Sequence, residues 1–447
     1  MATTYLTRSV SSTSTPTKMT VSFWLKGGQV QSSQQTLFSI YNTANANLFW
    51  TVYFSSNGSL YLYWKDTSEV TTLGTQQKFR DTNAWYHFVY EMDTTLSTAA
   101  DRIKLYINGV RVTEFEDSLG TISQNKSMDM MENTNGRITI GRGAIGGSDY
   151  YWDGLLSHFH YTDGYAYGAS SFGQTDAATG QWTINTSPSV TYGTNGFFML
   201  KDDASLSDDS GQGNNFTLGG GTIIPTQDNP SNIFAVINRL NPNAGEIIAF
   251  SAGDCSIDST GAAHRNAPCT FVLPLGNGKF YWEMKVDRMS THVKIGITSD
   301  EWSKLNKPTP GEEFSSSNEG YTYRNDGSKE NNGITSFGNS YTVGDIIGVA
   351  FDTENRKLYY AKNGTWQNSG DPTSGSTGTG AAFTITAGFN YVPAVNLYNA
   401  DVSFNFGNGY FGTTAISSEG TNASGLGKFE YDVPAGYTSL STKGLNL

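Results

Sequence analysis

Charge is scarce in this chain: Lys, Arg, Asp and Glu make up 15% of its 447 residues, against about a quarter in an average globular domain. Basic residues are the scarcer kind, with 28 Lys and Arg against 40 Asp and Glu and a formal net charge of −12. Docking on phosphates needs clustered Lys and Arg. No such cluster occurs, so neither nucleic acid nor an anionic membrane is an expected partner. Cysteine is nearly absent. Cys255 and Cys269 flank a turn-like segment and could close it, but two reduced thiols are the favoured expectation where no export signal precedes them. Long apolar runs are missing as well: nothing approaches the ~18 consecutive apolar residues of a spanning helix, so no membrane insertion is expected. The opening residues Met1–Arg8 carry no basic region followed by an apolar core, so a signal peptide is not expected and synthesis in a cytoplasm is. A sustained 3.6-residue period is absent too, which excludes most helix and any coiled-coil heptads.

What the chain has is glycine, 50 of it, and an aromatic share of 13%. That profile belongs to turn-rich β proteins. The clearest local pattern is Ser340–Trp366: an apolar run from Ile346 to Phe351, a polar break from Asp352 to Arg356, a second apolar run from Lys357 to Ala361, and Lys362-Asn363-Gly364. Two short β-prone runs closed by Asn-Gly predict an antiparallel hairpin. The same pattern stands far upstream, where Trp85–Asp93 is followed by a polar break and then by Arg102–Val112 with Asn108-Gly109. An echo at such long range predicts two sandwiches in series and no short-period solenoid, and the length also favours two domains.

In the first half, strands are expected at Met19–Leu25, Thr36–Ile40, Leu48–Phe54, Leu60–Trp64, Trp85–Asp93, the Arg102–Val112 hairpin, Arg137–Gly141 and Trp152–Tyr161. The texture from about residue 166 onward turns to Gly, Ser, Thr, Asn and Pro. There Gly196–Leu200 is expected to return a last edge strand to the first sandwich. The acidic group Asp202, Asp203, Asp208 and Asp209 lacks the ligand spacing of a calcium loop and reads as a solvated turn. The expected domains are 1–222 and 223–447, all-β, two tandem antiparallel jelly-roll-like β-sandwiches.

The strand TVSFWLKG, the Trp85-Tyr86-His87-Phe88-Val89 strand, the Leu105-Tyr106-Ile107-Asn108-Gly109 hairpin and Trp152-Asp153-Gly154-Leu155-Leu156 together resemble the laminin-G and concanavalin A-like lectin fold. In place of the acidic Ile-Asp-Glu ending of typical members, this chain has Ser157-His158-Phe159. Over residues 246–412, six blocks in order resemble a SPRY domain: Gly278–Val286, Val293–Ile297, Tyr321–Tyr323, Val343–Asp352, Leu358–Gly364 and Tyr391–Val395. The tandem order and the ending Phe429–Tyr437 resemble structural proteins of marine tailed bacteriophages, regarded as tail-fibre or virion-surface components. That resemblance implies a virion location after synthesis in the host cytoplasm. It also implies other virion proteins as partners, and copies of the chain itself in a symmetric homo-oligomer, a trimer as the leading expectation. Host surface glycan or protein would be the target, with tail and head placement both open.

No catalytic residues are expected. Glycan cleavage on a concanavalin A-like sheet needs two carboxylates facing across a groove, commonly alternating along a strand. Glu91-Met92-Asp93 runs into threonines, and Glu114-Phe115-Glu116-Asp117 lies beyond the Asn-Gly turn. No nucleophile elbow, P-loop or dinucleotide fingerprint occurs, and no cofactor is expected. His158 and His160 alternate along one strand and would share a face, but no third ligand follows at a matching spacing, so no metal is expected. The remaining candidates are aromatics in expected loops, because rings stack on sugars and anchor interfaces. They are Tyr150 and Tyr151 in the first half and Trp302, Tyr321, Tyr323 and Trp366 in the second. Rings of this kind also suit a core, Trp152 and Tyr323 above all.

Overall fold

Two hairpins of the same build anchor the two halves. In one, Trp85–Asp93 pairs with Ile103–Ile107, and in the other Ile346–Asp352 pairs with Lys357–Lys362. Each return strand ends in Asn-Gly with both residues at positive φ: 48° and 82° at Asn108 and Gly109, 47° and 77° at Asn363 and Gly364. This is type I′ geometry, whose twist suits paired strands. The asparagine also ties the turn to the start of the opposite strand. Asn108 Oδ1 accepts the N–H of His87, and Asn363 Oδ1 accepts that of Ile346, both at 2.8 Å. At the far end an aspartate closes the polar break, Asp93 accepting from the N–H of Thr95 and Asp352 from that of Asn355. The echo in the sequence is therefore one structural device used twice.

The structure, a computed structural model, describes residues 3–27, 34–145, 148–177, 179–201, 205–241, 248–261, 263–301 and 313–447. Trp302, Asp202 and Asp203 lie outside the described residues. The chain divides into two units, Met1–Pro225 and Thr226–Leu447. Both are nearly all β, with open antiparallel sheets joined by turns and short helical segments.

Among the described residues, the first unit packs an eight-stranded sheet on a six-stranded one. The larger runs in the order Phe115–Leu119, Val70–Lys78, Ser59–Lys65, Phe49–Phe54, Gln35–Asn42, Gly136–Ile140, Tyr5–Ser9 and Thr217–Gly220. The smaller runs Phe197–Met199, Gly154–Asp163, Lys18–Gly27, Trp85–Asp93, Ile103–Ile107 and Val110–Arg111. The core between them follows from period-two alternation. Trp50, Val52 and Phe54 meet Leu60, Leu62 and Trp64 on the inward side, opposite Phe23, Phe88 and Phe159 of the other sheet. On the outer side of the smaller sheet, residues 164–177 and 179–196 fold back as a cover. Val89 clusters there with Ala169 and Phe172, and Trp182 Nε1 donates to His87 Nδ1 at 2.9 Å. An indole N–H only donates, so His87 carries its proton on Nε2 and donates it to Ser22 Oγ at 2.8 Å. Burial pushes this imidazole down to about 3.

In the second unit, one strand serves two neighbours in succession. Lys279–Ser299 pairs with Ile346–Asp352 through its first third and with Gly320–Arg324 through its last, while Tyr391–Asn405 runs beside it along its length. The sequence reading divides this stretch into separate strands at Gly278–Val286 and Val293–Ile297. The polar residues between them stay paired through two register shifts. Arg288 holds the bend by gripping both Asp401 oxygens, at 2.6 and 2.7 Å. Cys255 and Cys269 are buried and unbonded to each other. The C-terminal segment then crosses the outer side of the sheet, where Phe429, Val433 and Tyr437 pack on Tyr281, Ala350 and Tyr359. Glu283 sits beneath that segment and accepts the N–H groups of Glu430 and Tyr431 at 3.0 and 2.9 Å.

Candidate functional site

Cross-strand partners share a face, so the outer side of the eight-stranded sheet can be read from its registers. One row runs Ser9, Arg137, Tyr41, Phe49, Lys65, and the next runs Thr7, Thr139, Ser39, Thr51, Tyr63, Thr72. A third brings Tyr53 beside Tyr61 and Gly74. At ~4.8 Å between strands, the first row, of five residues, spans roughly 20 Å. Tyr41, Phe49, Tyr53, Tyr61 and Tyr63 are all half-buried. Phe49 and Tyr63 meet edge to face at 5.0 Å, and Tyr53 and Tyr61 stack at 5.4 Å with planes 13° apart. Gly74 makes the second pair lie flat, because a Cβ there would fall 2.5 Å from the Tyr61 ring. Burial pushes the Tyr53 phenol up to about 12.

The middle row is closed to solvent at its centre: Ser39, Thr51 and Thr139 are buried, Ser39 and Thr51 are hydrogen-bonded to each other at 2.6 Å, and Gly143 of the Arg142–Ile145 strand packs over Ser39 and Thr36. The flat face of paired rings beside it can stack on the apolar side of a sugar while the tyrosine hydroxyls bond its hydroxyl groups. Glu116, at the far edge, takes hydrogen bonds from Lys78, Ser59 and Tyr61. The Lys78 ammonium and these hydroxyls hold its carboxyl down to about 2. A glycosidase acid works from a raised pKa, so Glu116 is unsuited to that part.

The sequence candidates fall in different settings. Tyr150 and Tyr151 lie on the Ser148–Tyr151 strand of a two-stranded ribbon and are half-buried. Tyr151 approaches Tyr5 at 6.1 Å, and Arg142 lies over the Tyr5 ring at 4.7 Å while its guanidinium pairs with Asp149. Tyr5 shares its strand face with Thr7 and Ser9, which brings Tyr151 to the rim of the open face. Tyr321 and Tyr323 are not loop residues. They occupy the Gly320–Arg324 strand and point into the core among Tyr341, Tyr360 and Tyr391, 3% and 0% exposed. Their alternate spacing matches a strand whose inward side meets Ile295 and Ile297. Trp366 is half-buried at the margin of the covered patch, 6.4 Å from Tyr281. Trp152 is core, stacked on Phe54.

His158 and His160 do not alternate as expected. A bulge separates Ser157 from His160, and His158 takes φ of 45°. Both rings still contact Phe198, and His160 bonds the Tyr192 hydroxyl at 2.9 Å. Among the described residues no group of three or more His, Cys, Asp or Glu side chains converges as a metal site would require. Asp208, read as a solvated turn, anchors its loop by accepting the N–H groups of Phe198, Ser210 and Asn214. Loops are where the sequence reading places its candidate rings, so the open-face rings, which stand in expected strands, are not among them. The signal was present in FWTVYF and LYLYW, where aromatics occupy both phases of the alternation, one more set than a single buried face needs.

Comparison with known families agrees with this architecture. A model of the concanavalin A-like lectin/glucanases superfamily, of laminin-G type, matches residues 2–167, and a SPRY domain model matches residues 279–409. The chain thus carries a concanavalin A-like domain followed by a SPRY domain, both β-sandwich folds of kinds that mostly serve binding or scaffolding. No curated protein matches. Among solved structures, the SPRY domain of human HERC1 is similar at 16% identity, covering 38% of this chain and 96% of that one, TM-score 0.29. A heptameric SAP-like pentraxin from Limulus polyphemus is similar at 19% identity over 36% of this chain and 70% of that one, TM-score 0.26. Likeness at this level carries no inference about ligands.

Proposed function

We propose that this protein is a non-enzymatic recognition component of a tailed-bacteriophage virion, a tail-fibre or other surface protein. In this reading it binds host surface glycan through the open aromatic face of its first sandwich. The observation that carries the reading is that face: five half-buried rings in two packed pairs and a flank on one side of a sheet. The virion setting is supported by the tandem order of the two domains and by the resemblance of the ending to phage structural proteins. Single sugar contacts are weak, so adhesion would come from many copies acting together, and a symmetric oligomer, a trimer first, supplies them.

Adsorption competition with the purified protein, together with antibody labelling of particles, tests this. Slowed adsorption and label at an exposed tip are the expected results. Label confined to a buried joint, with no effect on adsorption, would replace recognition by an architectural role in capsid or tail. Carboxylate-dependent cleavage of host polysaccharide would overturn the non-enzymatic part.

A further inference from the structure

The open face ends, at the Ser9 edge, in a cavity of about 460 Å³ whose walls include Thr7, Ser9, Arg137, Asn214, Asn215 and Thr217. That volume lies within the range of small-molecule sites, about 300–1,000 Å³. Among the described residues the lining offers guanidinium, amide and hydroxyl groups and no carboxylate. Its two arginines are in opposite states. Arg8 points inward and is committed, Nη1 donating to the Asn195 carbonyl at 3.2 Å and Nη2 to the Asn214 side chain, so it holds the loop that forms one wall. Arg137 is uncommitted. Its Nε is buried with no hydrogen-bond partner, and its Nη2 has only Ser9 Oγ at 3.5 Å, which is beyond a good hydrogen bond. Nη1 and Nη2 form the end of the guanidinium, which a carboxylate can take with two parallel hydrogen bonds. Asp208, in the loop that forms one wall, is spent on backbone N–H groups.

We propose that this cavity takes the carboxylate of an acidic sugar, a uronate or sialate, on the guanidinium end of Arg137, while the neighbouring Tyr41 and Phe49 carry the rest of the glycan. The inference rests on the glycan reading of the face and names its ligand class. Arg137 and Tyr41 are in register on adjacent strands, so one chain of sugars reaches both.

Titration calorimetry of the full-length protein with a galacturonate trimer and with its methyl ester is the test. The acid is expected to bind about tenfold or more tightly than the ester, the size of one charge-assisted hydrogen-bond pair. Arg137→Ala and Arg137→Lys should bring the acid down to the ester's affinity and leave the ester unchanged, with circular dichroism unaltered. A preference for acid that survives Arg137→Ala overturns the inference. In that case the glycan reading still stands if Tyr63→Ala weakens both ligands. A sulfated galactose oligomer that binds through Arg137 where the galacturonate does not would overturn the carboxylate assignment. Binding of neither trimer, together with indifference to Tyr63→Ala across a polysaccharide panel, would overturn both.

Discussion

Both units leave aromatic rings on the outer side of a sheet, and they treat them differently. In the second unit the rings of Tyr281 and Tyr359 are closed over by Phe429, Val433 and Tyr437 from the same chain, and both are about 1% exposed. In the first unit the smaller sheet is covered in the same way by residues around Phe172 and Trp182. On the larger sheet the Arg142–Ile145 strand covers Thr36 and Ser39, while Tyr41, Phe49, Tyr53, Tyr61 and Tyr63 stay half-exposed, packed against one another and their cross-strand neighbours. A chain that covers two such faces and leaves part of a third open has kept apolar area in water at a loss of about 25 cal/mol per Å². Large contiguous patches of that kind mark interaction sites.

The sharpest way to break the comparison is to remove a covering ring. Phe429→Ala should destabilise the second unit by about 3–5 kcal/mol, as expected for a fully buried phenylalanine. Phe49→Ala on the open face should cost roughly 1 kcal/mol. Denaturant unfolding of both variants checks this, and equal losses would mean that the open face is structurally sealed.

The next effect is on pH. Burial pushes Glu283 up to about 7, outweighing the hydrogen bonds it accepts from Glu430, Tyr431, Tyr281 and Asn405. The folded state therefore holds this proton more tightly than the unfolded chain. The contribution is fully present below the usual carboxylate range and is lost as pH rises through about 7. Stability of the second unit should fall by on the order of 2–3 kcal/mol between pH 5 and pH 8 from this group. Glu283→Gln should flatten that slope, whereas an unchanged slope would remove Glu283 as its source.

The two Asn-Gly turns should respond alike. Gly109→Ala and Gly364→Ala each force an L side chain into positive φ, at about 1–2 kcal/mol. Each also sets a Cβ 2.6 Å from a ring, Trp182 over the first turn and Tyr431 over the second. Thermal melts of the two variants give the comparison. The smallest stability effect belongs to Tyr63→Ala, about 0.5–1.5 kcal/mol, yet it should weaken glycan binding about tenfold, a loss of ~1.4 kcal/mol.

The hairpins, the strand alternation and the tandem order were legible because period two and Asn-Gly act locally. Tyr5–Ser9, Val70–Lys78 and Phe115–Leu119 were not, since threonine, glutamine, lysine and acidic residues occupy much of these strands at or near the sheet's margins. Tyr321 and Tyr323 are expected in loops because a Tyr-Thr-Tyr sequence looks the same in a core strand as on a surface. What decides it is the strand at Val293–Ser299 beside it, a tertiary fact. The covering role of Phe429–Tyr437 has no local signal at all: its single rings among turn formers acquire meaning only against Tyr281 and Tyr359.

Oxidative footprinting of the full-length protein with and without host-surface polysaccharide, read residue by residue by mass spectrometry, compares the open and covered faces in a single measurement. Protection is expected at Tyr41, Phe49, Tyr53, Tyr61 and Tyr63, with Trp366, Tyr359 and Tyr437 unchanged. Protection at Trp366 and its neighbours, with the open-face rings as reactive as before, would contradict the account.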